Sequence, residues 1–412
     1  MSLNALYVDF NSYFASVEQQ LVPGLRNKPV GVLAVMAETT CCIAASYEAK
    51  AFGVKTGTMV IEARRLCPDI VFVEARPSVY VQYHHRLIEI VESCTHVEKV
   101  LSIDEMVCKL TGSQQATENA LKLAARIKAA LAEKAGECIR CSIGIAPNTF
   151  LAKVASNMQK PDGCTVIHAH ELPQRLFHLK LRDLNGIGKQ MEARLNRYRI
   201  TTVEQLYAAN RQQLQTAWGG IEGERMYDKL RGIEPYYVNS VRSSLGHSHV
   251  LPPEQRNETG VRAVLHRLLQ KACMRMRSYD LLASKISIKV KMRGRPSWVM
   301  ENAISPTDNT LSLIEALESF LQHYPNPKIN AEPYAVGISF SGLMTMDEAA
   351  RDLFQRVPLE NEKKLNQTID HLNLKFGKNT IYFGGAHEAL KDAPMRIAFN
   401  HIPDLVVESD GE

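Results

Sequence analysis

At 412 residues the chain is too long for a single hydrophobic core, so roughly two to four domains are expected. Hydrophobic content of 45% and charged content of 23% are those of an ordinary soluble globular protein, and nine irregularly spaced cysteines with no apolar run of membrane length argue against a disulfide scaffold or an integral membrane protein. Net charge is only +5, but Ser240 to Trp298 holds 12 Lys+Arg against 3 Asp+Glu, a basic block that suits a polyanion partner.

In chain order, residues 3–10 predict a strand that ends on Asp9, and the polar and aromatic run 11–20 predicts the start of a helix. PVGVLAV (29–35) predicts a second strand, and TCCIAASYEAKAFGV (40–54) runs from strand into a helix stopped by Gly53. DIVFVEA (69–75) is strand-like, and residues 78–94 space Val79, Tyr83, Leu87, Ile90 and Val91 at helical intervals. VEKVLSIDEMVCKL (97–110) has β-rich runs either side of Ile103-Asp104-Glu105. An alanine-rich helix is expected over 116–136, a strand over 138–146, and a helix from APNTFLAKVASNMQ. This mixture predicts an α/β or α+β domain. Residues 172–237 read as all-helical, and the Ser-rich stretch 238–248 as a linker. A second α/β unit follows, with helices over 261–276 and 311–321 and alternating strands over 284–292 and 334–343. From about 350 the chain is a charged tail with a helix (360–375) and a short strand (379–385).

Three carboxylates stand out. Asp9 ends an apolar strand, and Asp104 and Glu105 sit between two β-rich runs. A charge at the edge of an apolar core is costly unless it is paired or binds metal. Neighbouring strands could bring the three together, and hard divalent cations such as Mg²⁺ would relieve their repulsion. Taken singly, Asp-Glu reads as a solvated turn and Asp9 as a helix cap. Tyr47 and Lys50 share one helix face, and Lys160 precedes the Pro-Asp-Gly turn; both lysines suit a triphosphate, with a solvated surface lysine as the plain alternative. Gly186-Ile187-Gly188, ahead of Lys189, resembles the turn of a helix-hairpin-helix, whose backbone N–H groups hold a DNA phosphate. Gly220-Ile221-Glu222-Gly223 is a weaker second copy, and a helix C-cap is the alternative for both. In SKISIKVKM, Ile286, Ile288, Val290 and Met292 alternate with Lys285, Ser287, Lys289 and Lys291, and Arg293 and Arg295 extend the basic face. That face suits contact along a phosphate backbone, or is a solvated sheet face.

The segments VDFNSYFASVE, NKPVGV, ASYEAKAFGVKTG, LSIDEM, SIGIAPNTFLAKVASNMQKPDG and LNGIGKQMEARL, in that order, resemble the Y-family (translesion) DNA polymerases from end to end. The tail LNLKFGKNTIYFGG is similar to the UmuC-type branch, whereas ASYEAKAFGV and SIGIAPN are similar to the DinB type (DNA polymerase IV). A UmuC-like bacterial protein is the favoured reading of the two. The resemblance implies an α+β multidomain right hand. Its palm, a mixed β-sheet plus helices, would be 1–10 and 78–171; its fingers 11–77; its helical thumb 172–237; a linker 238–242; an α/β little finger 243–349; and a UmuC-like tail 350–412. It implies error-prone addition of dNTPs to a primer 3′-OH on damaged template, with two Mg²⁺ ions held by Asp9, Asp104, Glu105 and the Phe10 carbonyl. It places Phe14 at the steric gate against a 2′-OH, and Tyr47, Lys50 and Lys160 at the triphosphate. Gly186, Gly188, Lys189, Lys285, Lys289, Lys291 and Arg293 are the expected DNA contacts. The implied partners are primer–template DNA and dNTP in the cytoplasm, with a UmuD-type accessory subunit as a further candidate. Asp352-Leu353-Phe354 partly resembles a sliding-clamp-binding peptide, without its usual leading Gln.

The sequence departs from the family at three positions: Lys50 for the usual Arg, Ala44 for a common hydroxyl residue, and Thr149 for a common Lys. A DNA-binding, polymerase-like accessory subunit is the second reading, although relatives of that kind lose the carboxylates. A nucleotide cyclase is the third, but it needs neither glycine turn nor lysine strand.

Overall fold

In the computed structural model the run ALYVDF forms strand β1 (Ala5–Phe10), buried at every position. A strand with no exposed face belongs inside a sheet covered by helices. The structure describes residues 2–236, 242–325, 332–350, 360–394 and 402–405. Those up to 236 form one unit, and those from 242 to 394 belong to a second.

From β1 the first unit turns at once into helix α1 (Tyr13–Leu21). A small three-stranded sheet follows: β2 (Val30–Leu33) lies between antiparallel β3 (Cys42–Ala45) and parallel β4 (Val71–Glu74), with helices α2 (Tyr47–Ala51) and α3 (Val60–Leu66) between β3 and β4 in the chain. Helix α4 (Pro77–Glu92) leads to β5 (Val97–Ser102) and β6 (Glu105–Lys109). Helix α5 (Thr117–Lys134), β7 (Cys141–Ala146), helix α6 (Thr149–Met158) and β8 (Cys164–Val166) complete a sheet ordered β5-β6-β1-β7-β8. The antiparallel register sets Asp9 opposite Glu105 on one side and Ser142 on the other.

Two local features fix this arrangement. A Cβ on Gly144 of β7 would sit 1.9 Å from the Ala152 carbonyl oxygen and 2.4 Å from the Ser156 nitrogen, so only glycine lets α6 lie this close to the sheet. Glu18 of α1, 2% exposed, accepts hydrogen bonds from Arg76 and, at 2.7 Å, from the Tyr80 hydroxyl. These partners offset the cost of burying its charge and tie α1 to the start of α4.

Residues 181–230 are helical, as the sequence predicts: a 3₁₀ turn (Leu181–Asp183), then α7 (Lys189–Arg197), α8 (Val203–Ala208), α9 (Arg211–Trp218) and α10 (Ile221–Leu230). Leu195, Leu206, Leu214 and Met226 share a core with Phe150, Leu151 and Val154 of α6.

The second unit opens on β9 (Ser244–Val250), α11 (Glu258–Arg277), β10 (Leu281–Met292) and β11 (Trp298–Thr307). It continues through α12 (Thr310–Leu321), β12 (Pro333–Thr345), α13 (Met346–Ala350) and α14 (Glu360–Phe376). The sheet is antiparallel and ordered β11-β10-β12-β9, and Ile286, Ile288 and Val290 meet Val264, Leu268 and Ala272 of α11 in the core.

Three expectations are corrected here. Residues 244–248 belong to β9 rather than to a linker, because β12 offers an edge for them to pair with. Residues 379–385 do not form a strand: Gly377 and Asn379 take positive φ, and the chain goes into a 3₁₀ turn (Gly384–Ala389). The segment set apart as a tail packs, over 360–394, into the second unit. There Arg277 of α11 donates to both Asp370 oxygens at 2.6 and 2.8 Å, Gln270 exchanges hydrogen bonds with Phe383, and Lys271 donates to the Ala393 carbonyl. With both partners of the Arg277–Asp370 pair largely buried, Asp370→Ala is expected to destabilise the second unit by about 3 kcal/mol, measured as a fall in its denaturant midpoint.

Candidate active site

The strand end, the start of α1, α2, the β5–β6 turn and α6 surround a cleft of about 330 Å³. Asp9, Phe10, Phe14, Tyr47, Lys50, Asp104, Glu105 and Lys160, all singled out in the sequence, line it together.

Asp9 is 4% exposed. Each of its oxygens meets a lysine: Lys160 Nζ at 2.7 Å and Lys153 Nζ at 3.5 Å. Lys153 also contacts the Glu105 carboxylate, which accepts a further hydrogen bond from the Tyr7 hydroxyl at 2.8 Å. Burial, with Asp9 and Asp104 adding to it, pushes the Tyr7 phenol far up, so it stays a donor. Asp104 sits on the turn between β5 and β6. Burial raises its carboxyl above the usual range; the Ser102 hydroxyl, donating at 2.6 Å, opposes the rise, and Asp9 adds to it. The Phe10 amide donates to the Asp104 carbonyl at 2.9 Å, joining the strand end to that turn. The Phe10 ring is in the core, so its main chain is what it can present to the cleft. His84 of α4 holds the same turn from behind, with Nδ1 2.8 Å from the Ile103 carbonyl. Burial lowers its pKa to about 4, so the neutral ring donates there.

Phe14 is 6% exposed and stacks on Tyr80, ring centroids 4.6 Å apart at 19°. Lys50 donates to the Ser12 hydroxyl at 2.7 Å and lies 4.4 Å over the Tyr47 ring, as a shared helix face requires. Ala44 lines the cleft, whereas Thr149 lies at the start of α6 with its amide on Glu234 and is not among the lining residues.

The other sequence-predicted residues lie elsewhere. Gly186 takes φ 91, Ile187 is buried, and Gly188 precedes the exposed first residue of α7, Lys189. In the weaker second copy, Gly223 packs inside α10 where a Cβ would meet the Leu214 carbonyl at 2.1 Å, so it serves helix packing. In the second unit Lys285, Lys289 and Lys291 are exposed on one face of β10, beside Ser341, Gly337 and Ala335 of β12. Arg293 pairs with Glu332 at 3.1 Å. The basic block does not face outward as a whole. On α11, Arg262 and His266 are taken by Glu318, Arg267 by Asn379, Arg275 by the Gly246 carbonyl and Arg277 by Asp370. Asp352-Leu353-Phe354 lies outside the described residues.

Sequence reasoning missed Lys153 and Asn11. Asn11 is buried, donates to Ser142 Oγ at 3.0 Å and accepts from the Asp162 amide at 2.7 Å, fixing the turn that carries Lys160 to the end of β1. The available signal for Lys153 was the lone charge in the otherwise uncharged helix TFLAKVASNM.

The donor set, carboxylate and carbonyl oxygen, is that of a hard divalent cation. Among the described residues no three acidic, imidazole or thiol groups already converge on a metal position. Here Asp9 and Glu105 face ammonium groups instead of each other, and Asp104 accepts from the Ser102 hydroxyl. Their chemistry and shared edge fit a divalent cation once those ammoniums give way. No helix among the described residues is long and apolar enough to cross a membrane.

Comparison with known proteins identifies the family. The model of the impB/mucB/samB family matches residues 8–157, that of its C-terminal domain residues 242–355, and that of the DNA polymerase-iota thumb domain residues 182–234. A curated relative named DNA polymerase IV from Moorella thermoacetica is 34% identical over 92% of this chain and 94% of its own; one from Bacillus velezensis is 31% identical over 96% and 95%. These names favour the DinB-type side of the resemblance over the UmuC-type side. Among solved structures, a Y-family DNA polymerase chimera superposes with a TM-score of 0.72 at 24% identity, covering 83% of this chain and 99% of that one. DinB from Sulfolobus solfataricus superposes with a TM-score of 0.52 at 24% identity, covering 82% and 98%. Together, the matched family models, the relatives along nearly the whole length and the shared fold show that the chain belongs to the Y-family of DNA polymerases.

Proposed function

We propose that the cleft of the first unit is the nucleotidyl-transfer site of a translesion DNA polymerase, in which a primer 3′-OH attacks the α-phosphate of a dNTP and pyrophosphate leaves. Membership of the family makes the chain a DNA-directed DNA polymerase. The observation that carries the site assignment is the convergence of Asp9, Asp104 and Glu105 with Phe14, Tyr47, Lys50 and Lys160 in one cleft. An accessory subunit without chemistry would not need that convergence.

On this reading Asp9, Asp104, Glu105 and the Phe10 carbonyl hold two Mg²⁺ ions. When bound, these ions would polarise the α-phosphate and stabilise the attacking and leaving oxygens. Lys50 and Lys160, with Tyr47, hold the triphosphate as point charges and a hydrogen-bonding hydroxyl. Phe14 closes the sugar pocket on the 2′ side. Residues 1–10 and 78–171 are the palm, 11–77 the fingers, 172–237 the thumb and 243–349 the little finger, with the described part of the tail joined to the last. A cytoplasmic location fits nine unpaired cysteines and a DNA substrate. A sliding clamp, through Asp352, Leu353 and Phe354, and a UmuD-type subunit are candidate partners.

Duplex DNA is held without base reading. Gly186, Gly188 and Lys189 offer amides and charge to one phosphate, and Lys285, Lys289, Lys291 and Arg293 track others. On the β12 side the neighbours of the β10 lysines are small, and on the β11 side the same face carries Ala303, Val299 and one acidic residue, Glu301. Lys289→Ala is expected to weaken binding equally on all sequences and to lower the salt slope of log K by about 1, as fluorescence anisotropy at graded salt would show.

Primer extension on undamaged and lesion-bearing templates tests the function. Extension on both is expected; DNA binding without extension on either would overturn the reading in favour of an accessory subunit.

A further inference from the structure

We infer that Lys153 is a built-in counter-ion of the carboxylate edge, and that a divalent cation enters there by displacing it. This rests on the reading that Asp9 and Glu105 are metal ligands.

Lys153 has its place fixed by main-chain packing: Gly144 lets α6 down onto the sheet, and α6 delivers the lysine over the β1–β6 pair. Its side chain is 18% exposed. It contacts the Glu105 carboxylate, lies 3.5 Å from Asp9 Oδ2, and sits 5.0 Å over the Tyr7 ring. It thus bridges two carboxylates that the register sets directly opposite each other. Like charges so placed repel, and the repulsion grows as water is excluded. One ammonium between them removes that cost and lets the edge form before any metal arrives.

Lys160 differs. It reaches Asp9 alone, from the turn after α6. It can swing to a phosphate without leaving two carboxylates facing each other.

A divalent cation seeks the same oxygens that Lys153 holds. Ammonium and cation compete for them, so Lys153 raises stability without metal and lowers metal affinity. The ion that arrives with a nucleotide triphosphate brings both charge and ligands to the exchange, and so displaces Lys153 more readily than a free ion does.

The test compares wild type with Lys153→Met, which keeps the length and packing of the side chain without its charge, and Lys153→Arg, which keeps the charge. Thermal melting in EDTA and binding of Mn²⁺, followed by the electron paramagnetic resonance of the free ion, give readouts independent of activity. Lys153→Met is expected to melt below wild type in EDTA, to regain the difference on adding Mg²⁺, and to bind Mn²⁺ about fivefold or more tightly than wild type. Lys153→Arg is expected to bind Mn²⁺ within about twofold of wild type. Equal or weaker Mn²⁺ binding by folded Lys153→Met overturns the inference and leaves the metal site intact. If Lys153→Met is unfolded in EDTA, refolding on adding Mn²⁺ supports the inference, and failure to refold overturns it. No Mn²⁺ binding by wild type or either variant overturns the metal site as well.

Discussion

Asp104→Asn is expected to lower single-nucleotide incorporation by about 10³-fold or more, because metal-ion stabilisation of a transferring phosphoryl group is worth several kcal/mol. The substitution is nearly isosteric. The amide oxygen still accepts from Ser102, and the Ile103 carbonyl stays bound to His84, so the turn keeps its shape. Only the charge and one oxygen that would hold the proposed metal are lost. The proposed phosphate contacts at the glycine turn and the lysine strand are untouched by the substitution, so primer–template affinity should stay within about twofold. A large loss of DNA affinity would mean that Asp104 acts through folding. Wild-type incorporation by the variant would remove it from the metal site.

Phe14→Ala is expected to lower the preference for deoxyribose over ribose by about 10²-fold, read as the ratio of kcat/KM for dNTP and rNTP. On the proposed placement of the sugar, the ring would not yield to a 2′-hydroxyl. It is buried against Tyr80, whose carbonyl accepts from the Tyr13 hydroxyl at 2.6 Å, and Tyr80 is itself bonded to Glu18. This backing makes Phe14 a fixed wall. The same burial means that truncation costs about 3–5 kcal/mol of stability. Phe14→Leu, which keeps most of the contact, should therefore fold better and show an intermediate loss of discrimination. An unchanged ratio in both folded variants would place the sugar elsewhere in the cleft.

Legibility in the sequence followed how local each signal was. Asp9 at the end of an apolar run, and Asp104-Glu105 between two β-rich runs, were visible because strand ends announce themselves. Antiparallel pairing of β1 with β6 then brought them to one edge. Tyr47 and Lys50 were legible as a pair because helical spacing alone puts them together. Lys153 was not, because its meaning depends on how closely α6 approaches the sheet, which a single Cβ at position 144 would prevent. Asn11 reads as an ordinary polar residue until the Asp162 amide arrives from a distant turn. The basic block was legible only in part, for a related reason. Composition counts charges without showing which are met inside the protein, and the C-terminal segment that meets those of α11 looked like a free tail. The β-rich letters of NTIYFGG promised a strand, but the two left-handed residues at 377 and 379 turn the chain first.

The central claim is that this edge of three carboxylates performs template-directed nucleotidyl transfer. Its most direct measurement is single-nucleotide incorporation by the wild-type protein opposite each of the four template bases, with Mg²⁺ and with EDTA. The account predicts that each primer is extended preferentially by the complementary dNTP, with pyrophosphate released, and that EDTA stops the reaction. Tight primer–template binding with no incorporation at any template base, in Mg²⁺ or Mn²⁺, would contradict it.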